Sequence, residues 1–92
     1  MVKHISGKKG PHLMLYSLST CPWCQKTKEL LGELGLEYYY ADADLLIDSE
    51  RLDVMSDVER WNPKRSFPTI VVDNSRCIIG CQENELRGLL RV

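Results

Sequence analysis

Two cysteines separated by two residues, Cys21-Pro22-Trp23-Cys24, stand directly after an apolar run, Leu13-Met14-Leu15-Tyr16-Ser17-Leu18. Thiols at that spacing suit a reversible disulfide. With Leu13–Ser17 as a strand and Pro22 as the first helical residue, the missing proline N–H costs nothing and its fixed φ is already helical. Cys21 then becomes the N-cap. Its sulfur faces the unpaired amides of Trp23 and Cys24 and the positive end of the helix dipole, an environment that favours thiolate over thiol. Cys24, one turn on, has its β-carbon about 5–6 Å away, a gap that small rotations close to disulfide geometry.

Other uses of the cysteines stay open at this point. A C-x-x-C pair also begins many four-cysteine zinc sites, and Cys77 with Cys81 could supply the remaining ligands. Against this, Ile78-Ile79 between them reads as strand, where residues four apart are separated by about 13 Å. A purely structural Cys21–Cys24 disulfide is disfavoured because closing so short a loop removes little chain entropy. Cys77 and Cys81 read as small packing residues, the usual behaviour of free cysteine.

The elements that must position the dithiol fit one domain. The chain has 92 residues, 43% hydrophobic and 27% charged, with 12 basic and 13 acidic side chains leaving a net charge of −1. That balance gives no reason to expect nucleic acid as a partner. No apolar stretch is long enough to span a membrane, and residues 1–10 lack the apolar centre of a signal peptide. The expectation is a cytoplasmic monomer whose cysteines do chemistry, since reducing cytosol does not sustain structural disulfides. Residues 1–12, with His4 and His12, are read as a flexible N-terminal segment and residues 13–92 as the domain.

Charge is unevenly distributed. From Glu37 to Glu59 there are eight acids and only Arg51 to offset them, and Arg60, Lys64 and Arg65 follow at once. Solvated surface charge accounts for most such runs. The alternative is that the basic cluster receives the carboxylate or sulfonate of a thiol substrate.

Leu30, Leu31 and Leu34 continue one helical face from Cys24 and Thr27, and Gly35 is placed to end that helix. Glu37-Tyr38-Tyr39-Tyr40-Ala41-Asp42 reads as a strand. Asp48 or Ser49 is expected to cap a second helix carrying Val54, Val58 and Trp61, with Leu52 and Met55 alongside, and Asn62-Pro63 to stop it. Thr69–Val72 and Arg76–Ile79 form a hairpin around Asp73-Asn74-Ser75, and Leu86, Leu89 and Leu90 mark a closing helix. The order is strand, helix, strand, helix, strand, strand, helix. A right-handed parallel crossover followed by an antiparallel hairpin gives an α/β, thioredoxin-like fold, a four-stranded mixed sheet flanked by about three helices.

From Leu13 to Leu90 the chain resembles the glutaredoxin family. Thr20-Cys21-Pro22-Trp23-Cys24 is similar to that family's T-C-P-Y-C, Ser66-Phe67-Pro68-Thr69 to its T-V-P segment, and Gly80-Cys81-Gln82-Glu83 to G-C-D-D. The resemblance implies that Cys21 is the nucleophile, Cys24 the resolving thiol and Pro68 the family's cis-proline facing the dithiol. It further implies reduction of disulfides in proteins or small molecules, with a small thiol as co-substrate and no metal or organic cofactor. The backbone of Phe67 would then pair with an extended substrate in the manner of an added strand. A simpler use of Pro68 is to open a strand. Trp23 is either an apolar platform for partners or a packing residue on its helix.

Departures from the family pattern concern the electron donor. Leu18 stands where glutathione-using members commonly carry a lysine, and Gln82-Glu83 replaces the aspartates of the γ-glutamyl site. Lys64, Arg65 and Gln82 are the remaining candidates for holding a small thiol, together with Arg60. The chain is also similar to the methanoredoxin type of archaeal glutaredoxin-like protein, a likeness that would imply coenzyme M, a thiol ending in a sulfonate, in place of glutathione. Two further readings follow from the resemblance. One is a hydrogen donor re-reduced by thioredoxin reductase. The other is an iron–sulfur cluster carrier with Cys21 as a ligand, against which Pro22 stiffens the loop.

Overall fold

A computed structural model describes residues 2–89. Strands β1 (Lys3–Ile5), β2 (Leu13–Ser17), β3 (Tyr38–Asp42), β4 (Thr69–Val72) and β5 (Arg76–Ile79) form one sheet in the order β1-β3-β2-β4-β5. Helices α1 (Pro22–Leu34), α2 (Asp48–Trp61) and α3 (Glu83–Gly88) complete it, with a 3₁₀ turn at Ala43–Leu45. β2 and β3 are parallel across α1, whereas β2–β4 and β4–β5 are antiparallel. This is the thioredoxin-like arrangement expected from the element order.

Period-two alternation decides which helix each strand residue meets. Leu13, Leu15, Ile70, Val72 and Ile78 pack with Leu30, Leu31, Leu86 and Leu89 on the face covered by α1 and α3. Tyr16 and Val71, with Met14 beside them, turn the other way onto Val54, Val58 and Trp61 of α2. Because side chains on a strand point alternately to opposite faces, one β2 run serves both cores and carries its C-terminal end rigidly to the dithiol.

Four details differ from the sequence reading. The sheet has five strands, the fifth supplied by the first twelve residues, which sequence left outside the domain. Lys3–Ile5 pairs antiparallel with Tyr38–Tyr40, and its three exposed residues carry no buried apolar stripe to announce a strand. The same segment is tied further on: the Lys8 N–H donates to the Gly35 carbonyl at 2.7 Å, and a β-carbon on Gly7 would lie 2.6 Å from that same oxygen. α2 begins at Asp48 itself, with Ile47 in the cap position and no side-chain cap, so neither Asp48 nor Ser49 caps it. Asp48 and Glu50 instead occupy the first turn, where the helix dipole favours acids.

Leu52 is 72% exposed rather than part of the apolar face. Two residues before Val54, it lies about 200° around the helix from the side that meets the sheet. The closing helix ends at Gly88, with Leu86 and Leu89 buried and Leu90 outside the described residues. Gly35 ends α1 in the left-handed region, φ 69°, as its position foreshadows.

Candidate active site

β2 delivers the chain to a four-residue loop, and α1 starts at Pro22 with Cys21 as its N-cap. Cys21 has extended dihedrals, φ −85° and ψ 116°, and its sulfur accepts the Cys24 N–H at 3.3 Å. Its own N–H donates to the Leu18 carbonyl at 3.2 Å, and its carbonyl receives the Gln25 N–H at 3.1 Å, the first bond of the helix. Cys21 is therefore half-exposed at the start of α1, with its sulfur on the Cys24 amide.

Cys24 lies one turn deeper and is fully buried. Burial pushes its thiol up to about 12, reinforced by its hydrogen bond with Cys21 and opposed by the Leu18 backbone and the Lys28 ammonium. At neutral pH it is a thiol. The two sulfurs thus differ in access and in the cost of carrying charge, although they sit on one helical turn.

Beneath them is a half-buried polar group. The Lys28 ammonium lies 3.0 Å from the Asp42 carboxylate, with exposures of 17% and 13%, and 4.4 Å from the centre of the Tyr40 ring. The Ser17 hydroxyl, wholly buried at the end of β2, donates to the same carboxylate. Four residues apart on α1, Cys24 and Lys28 share a face. Sequence reading leaves this group out, since it depends on the register that sets Ser17 beside Asp42 and on how α1 brings Lys28 to β3.

A second polar clamp holds the loop before Cys21. The Ser19 N–H and hydroxyl both donate to the Asp44 carboxylate, the former at 2.8 Å, and the Ser19 carbonyl accepts the Gln25 side-chain amide at 3.0 Å. These two bonds hold the Asp44 carboxyl below the usual carboxylate range.

Beside Trp23, the segment before β4 forms the wall of a groove. Trp23, Phe67, Pro68, Gly80 and Cys81 line a cavity of about 250 Å³. Trp23 is 63% exposed, so the structure places it as a rim and not as packing. The Phe67–Pro68 bond is cis, and the Pro68 carbonyl accepts the Gly80 N–H at 2.8 Å. Asn62, buried at the end of α2, donates to the Ser66 carbonyl, the Ser66 hydroxyl and the Thr69 hydroxyl, at 3.1, 2.9 and 3.1 Å, and so shapes the approach to Pro68.

The remaining candidates are not among the residues lining that cavity, although the Gln82 amide lies 3.9 Å from where a β-carbon on Gly80 would stand. The Arg65 guanidinium is 3.5 Å from Glu59, and Lys64 is anchored through its backbone N–H to Asn62. Gln82 bonds the Ile79 carbonyl through its side-chain amide at 3.1 Å. The Arg60 guanidinium pairs with Asp57 and lies over Trp61, on the α2 side of the sheet. Cys77, on β5 opposite Val71, donates its thiol to the Trp61 carbonyl at 3.3 Å. Among the described residues no three His, Cys, Asp or Glu side chains converge as a metal-binding group.

The glutaredoxin family profile matches residues 13–77. The chain belongs to the glutaredoxin family. Among solved structures it is similar to the methanoredoxin of Methanosarcina acetivorans, at 38% identity and a TM-score of 0.89, over 94% of this chain and 90% of that one. A glutaredoxin of Methanosarcina mazei is 38% identical with a TM-score of 0.90, over 99% and 88%. Glutaredoxin-C2 of Arabidopsis thaliana is 28% identical over 69 residues, 75% of this chain and 60% of the plant protein. The family profile covers β2 to the start of β5 and leaves β1 and α3 outside the matched residues. Against the first plant relatives it matches, the chain spans 60–65% of their length. None of its helices in the described residues is long and apolar enough to cross a membrane.

Proposed function

We propose that this chain is a dithiol thiol–disulfide oxidoreductase that reduces disulfides of proteins and small molecules. The observation that carries the reading is the asymmetry of the pair: Cys21 half-exposed at a helix N-cap, Cys24 buried and protonated one turn below. The Cys21 thiolate attacks one sulfur of a substrate disulfide, forming a mixed disulfide and expelling the other sulfur as a thiolate that takes a proton from solvent. Cys24 then loses its proton and attacks the Cys21 sulfur. The bond to substrate breaks, the substrate leaves reduced by two electrons, and a Cys21–Cys24 disulfide remains. Two external thiols return it to the dithiol.

Trp23, Phe67 and Pro68 form the groove in which a substrate chain lies, with the Phe67 backbone available as the pairing edge. The electron donor in this reading is a small anionic thiol of the coenzyme M type, better used than glutathione. Leu18 offers no ammonium to a glycine carboxylate, and Gln82 and Glu83 do not reproduce an aspartate pair. Lys64 and Arg65 supply positive charge beside the Pro68 segment. The protein acts as a monomer in the reducing cytoplasm. A disulfide-reduction assay comparing glutathione, coenzyme M and a thioredoxin reductase as electron sources tests the reading. Turnover with none of them contradicts it, and turnover by the reductase alone replaces the small thiol with a protein donor.

A further inference from the structure

The loop that carries Cys21 is held by polar bonds. Ser19 is half-buried and Thr20 exposed, so apolar packing does not fix them. All three polar groups of Ser19 are nevertheless engaged. Its N–H and hydroxyl meet the two oxygens of Asp44, and its carbonyl meets Gln25 on α1. Asp44 is itself fixed. It sits in the 3₁₀ turn that follows β3, a turn closed by the Leu46 N–H on the Ala43 carbonyl, and its own carbonyl accepts the Arg51 guanidinium of α2 at 3.2 Å. A line of bonds therefore runs from α2 through Asp44 to Ser19, two residues before the nucleophile.

We propose that Asp44 is a positioning residue for Cys21. Its carboxylate takes both donors of Ser19 at once, a two-point grip that sets the height of the loop over the first turn of α1. That height determines whether the Cys21 sulfur reaches the Cys24 N–H, and hence how well negative charge on the sulfur is held. With both donors met by one side chain, this grip holds a segment that apolar packing does not fix. The sign of the effect separates it from simple electrostatics. As a bare negative charge near the site, Asp44 would oppose a thiolate, and its removal would raise Cys21 reactivity. As a clamp it promotes the thiolate's support, and its removal lowers reactivity. The proposal concerns the reactivity of Cys21 and deepens the dithiol reading above.

The test compares Asp44, Asp44→Asn and Asp44→Ala in a Cys24→Ser background, following iodoacetamide modification of the Cys21 peptide by mass spectrometry at neutral pH, with melting temperature recorded alongside. Asparagine keeps an oxygen for the Ser19 N–H while losing the charge. Positioning predicts that Asp44→Ala slows modification at least about fivefold, and that Asp44→Asn recovers the parent rate or exceeds it. An alanine variant that reacts as fast as the parent or faster overturns the proposal. So does a slow alanine variant that asparagine fails to rescue, which would mark a general loss of local structure. Because alkylation does not require disulfide turnover, a protein with both cysteines intact that reduces no disulfide contradicts the proposed function alone, and the ordering of the three alkylation rates still decides the role of Asp44.

Discussion

The Cys24 backbone N–H points at the Cys21 sulfur across 3.3 Å, while the Cys24 side chain is sealed from solvent. One residue thus donates its backbone N–H to the other's sulfur and withholds its own thiol. The consequence is an ordered reaction: attack from the exposed sulfur, resolution from the buried one.

The two steps should separate by pH. With its thiol raised to about 12, Cys24 is almost wholly protonated at neutrality, and its thiolate fraction grows about tenfold per pH unit. Release of product from a preformed Cys21 mixed disulfide should therefore accelerate about tenfold per unit between pH 6 and 9. Rapid-mixing kinetics on the isolated mixed disulfide measure this, and a flat profile would mean that Cys24 is not the proton-holding group. The same shift bears on folding. A thiol whose folded value lies above its ordinary 9.0 binds its proton more tightly in the folded state, so its contribution is intact below pH 9 and is lost from pH 9 towards 12. Denaturant titrations of the reduced protein should show stability falling across that window, and Cys24→Ser should lessen the fall.

Asn62 should prove a structural pin of the substrate groove. Replacing it by alanine removes four bonds of a buried amide, three donated by its nitrogen and one accepted from the Lys64 N–H, and leaves the Ser66 and Thr69 oxygens poorly matched. A loss of about 1–3 kcal/mol is expected in urea unfolding with an unchanged m-value. A change below a few tenths of a kcal/mol would show that water replaces the amide freely.

Much of this arrangement is legible in the residues themselves. Proline after Cys21, glycine at 35 and the leucines at 30, 31 and 34 define α1 from sequence alone, because capping and periodicity are local signals. The parallel β2–β3 pair follows from the crossover rule. β1 is not legible: Lys3-His4-Ile5 is held by ladder bonds to a tyrosine-rich strand, and backbone pairing leaves no mark on side-chain composition. The grip of Asp44 on Ser19 and the Lys28–Asp42 pair are hidden for a related reason. Each joins residues 14 to 25 positions apart, and only the placement of β3 beside β2 brings them together.

Donor choice should respond to position 18. In Leu18→Lys the new ammonium lies on the loop beside the dithiol, and a charge-assisted contact with the glycine carboxylate should raise glutathione-dependent turnover by about fivefold or more. Arg65→Ala should weaken any small anionic thiol and flatten its salt dependence, since Arg65 is more than half exposed and paired only loosely with Glu59. Steady-state rates with glutathione and coenzyme M at two ionic strengths check both. Equal use of the two thiols by the parent, unaltered by either substitution, would make these positions irrelevant to the donor.

The order of attack is most directly tested by trapping. Cys21→Ser and Cys24→Ser proteins are incubated with a disulfide-bearing substrate, and the covalent adducts are mapped by mass spectrometry without reductant. Cys24→Ser should accumulate a mixed disulfide on Cys21, and Cys21→Ser should form none on Cys24. Adducts through Cys24 in the Cys21→Ser protein, with none through Cys21 in its counterpart, would reverse the two roles, and equal trapping by both would contradict the asymmetry on which the account rests.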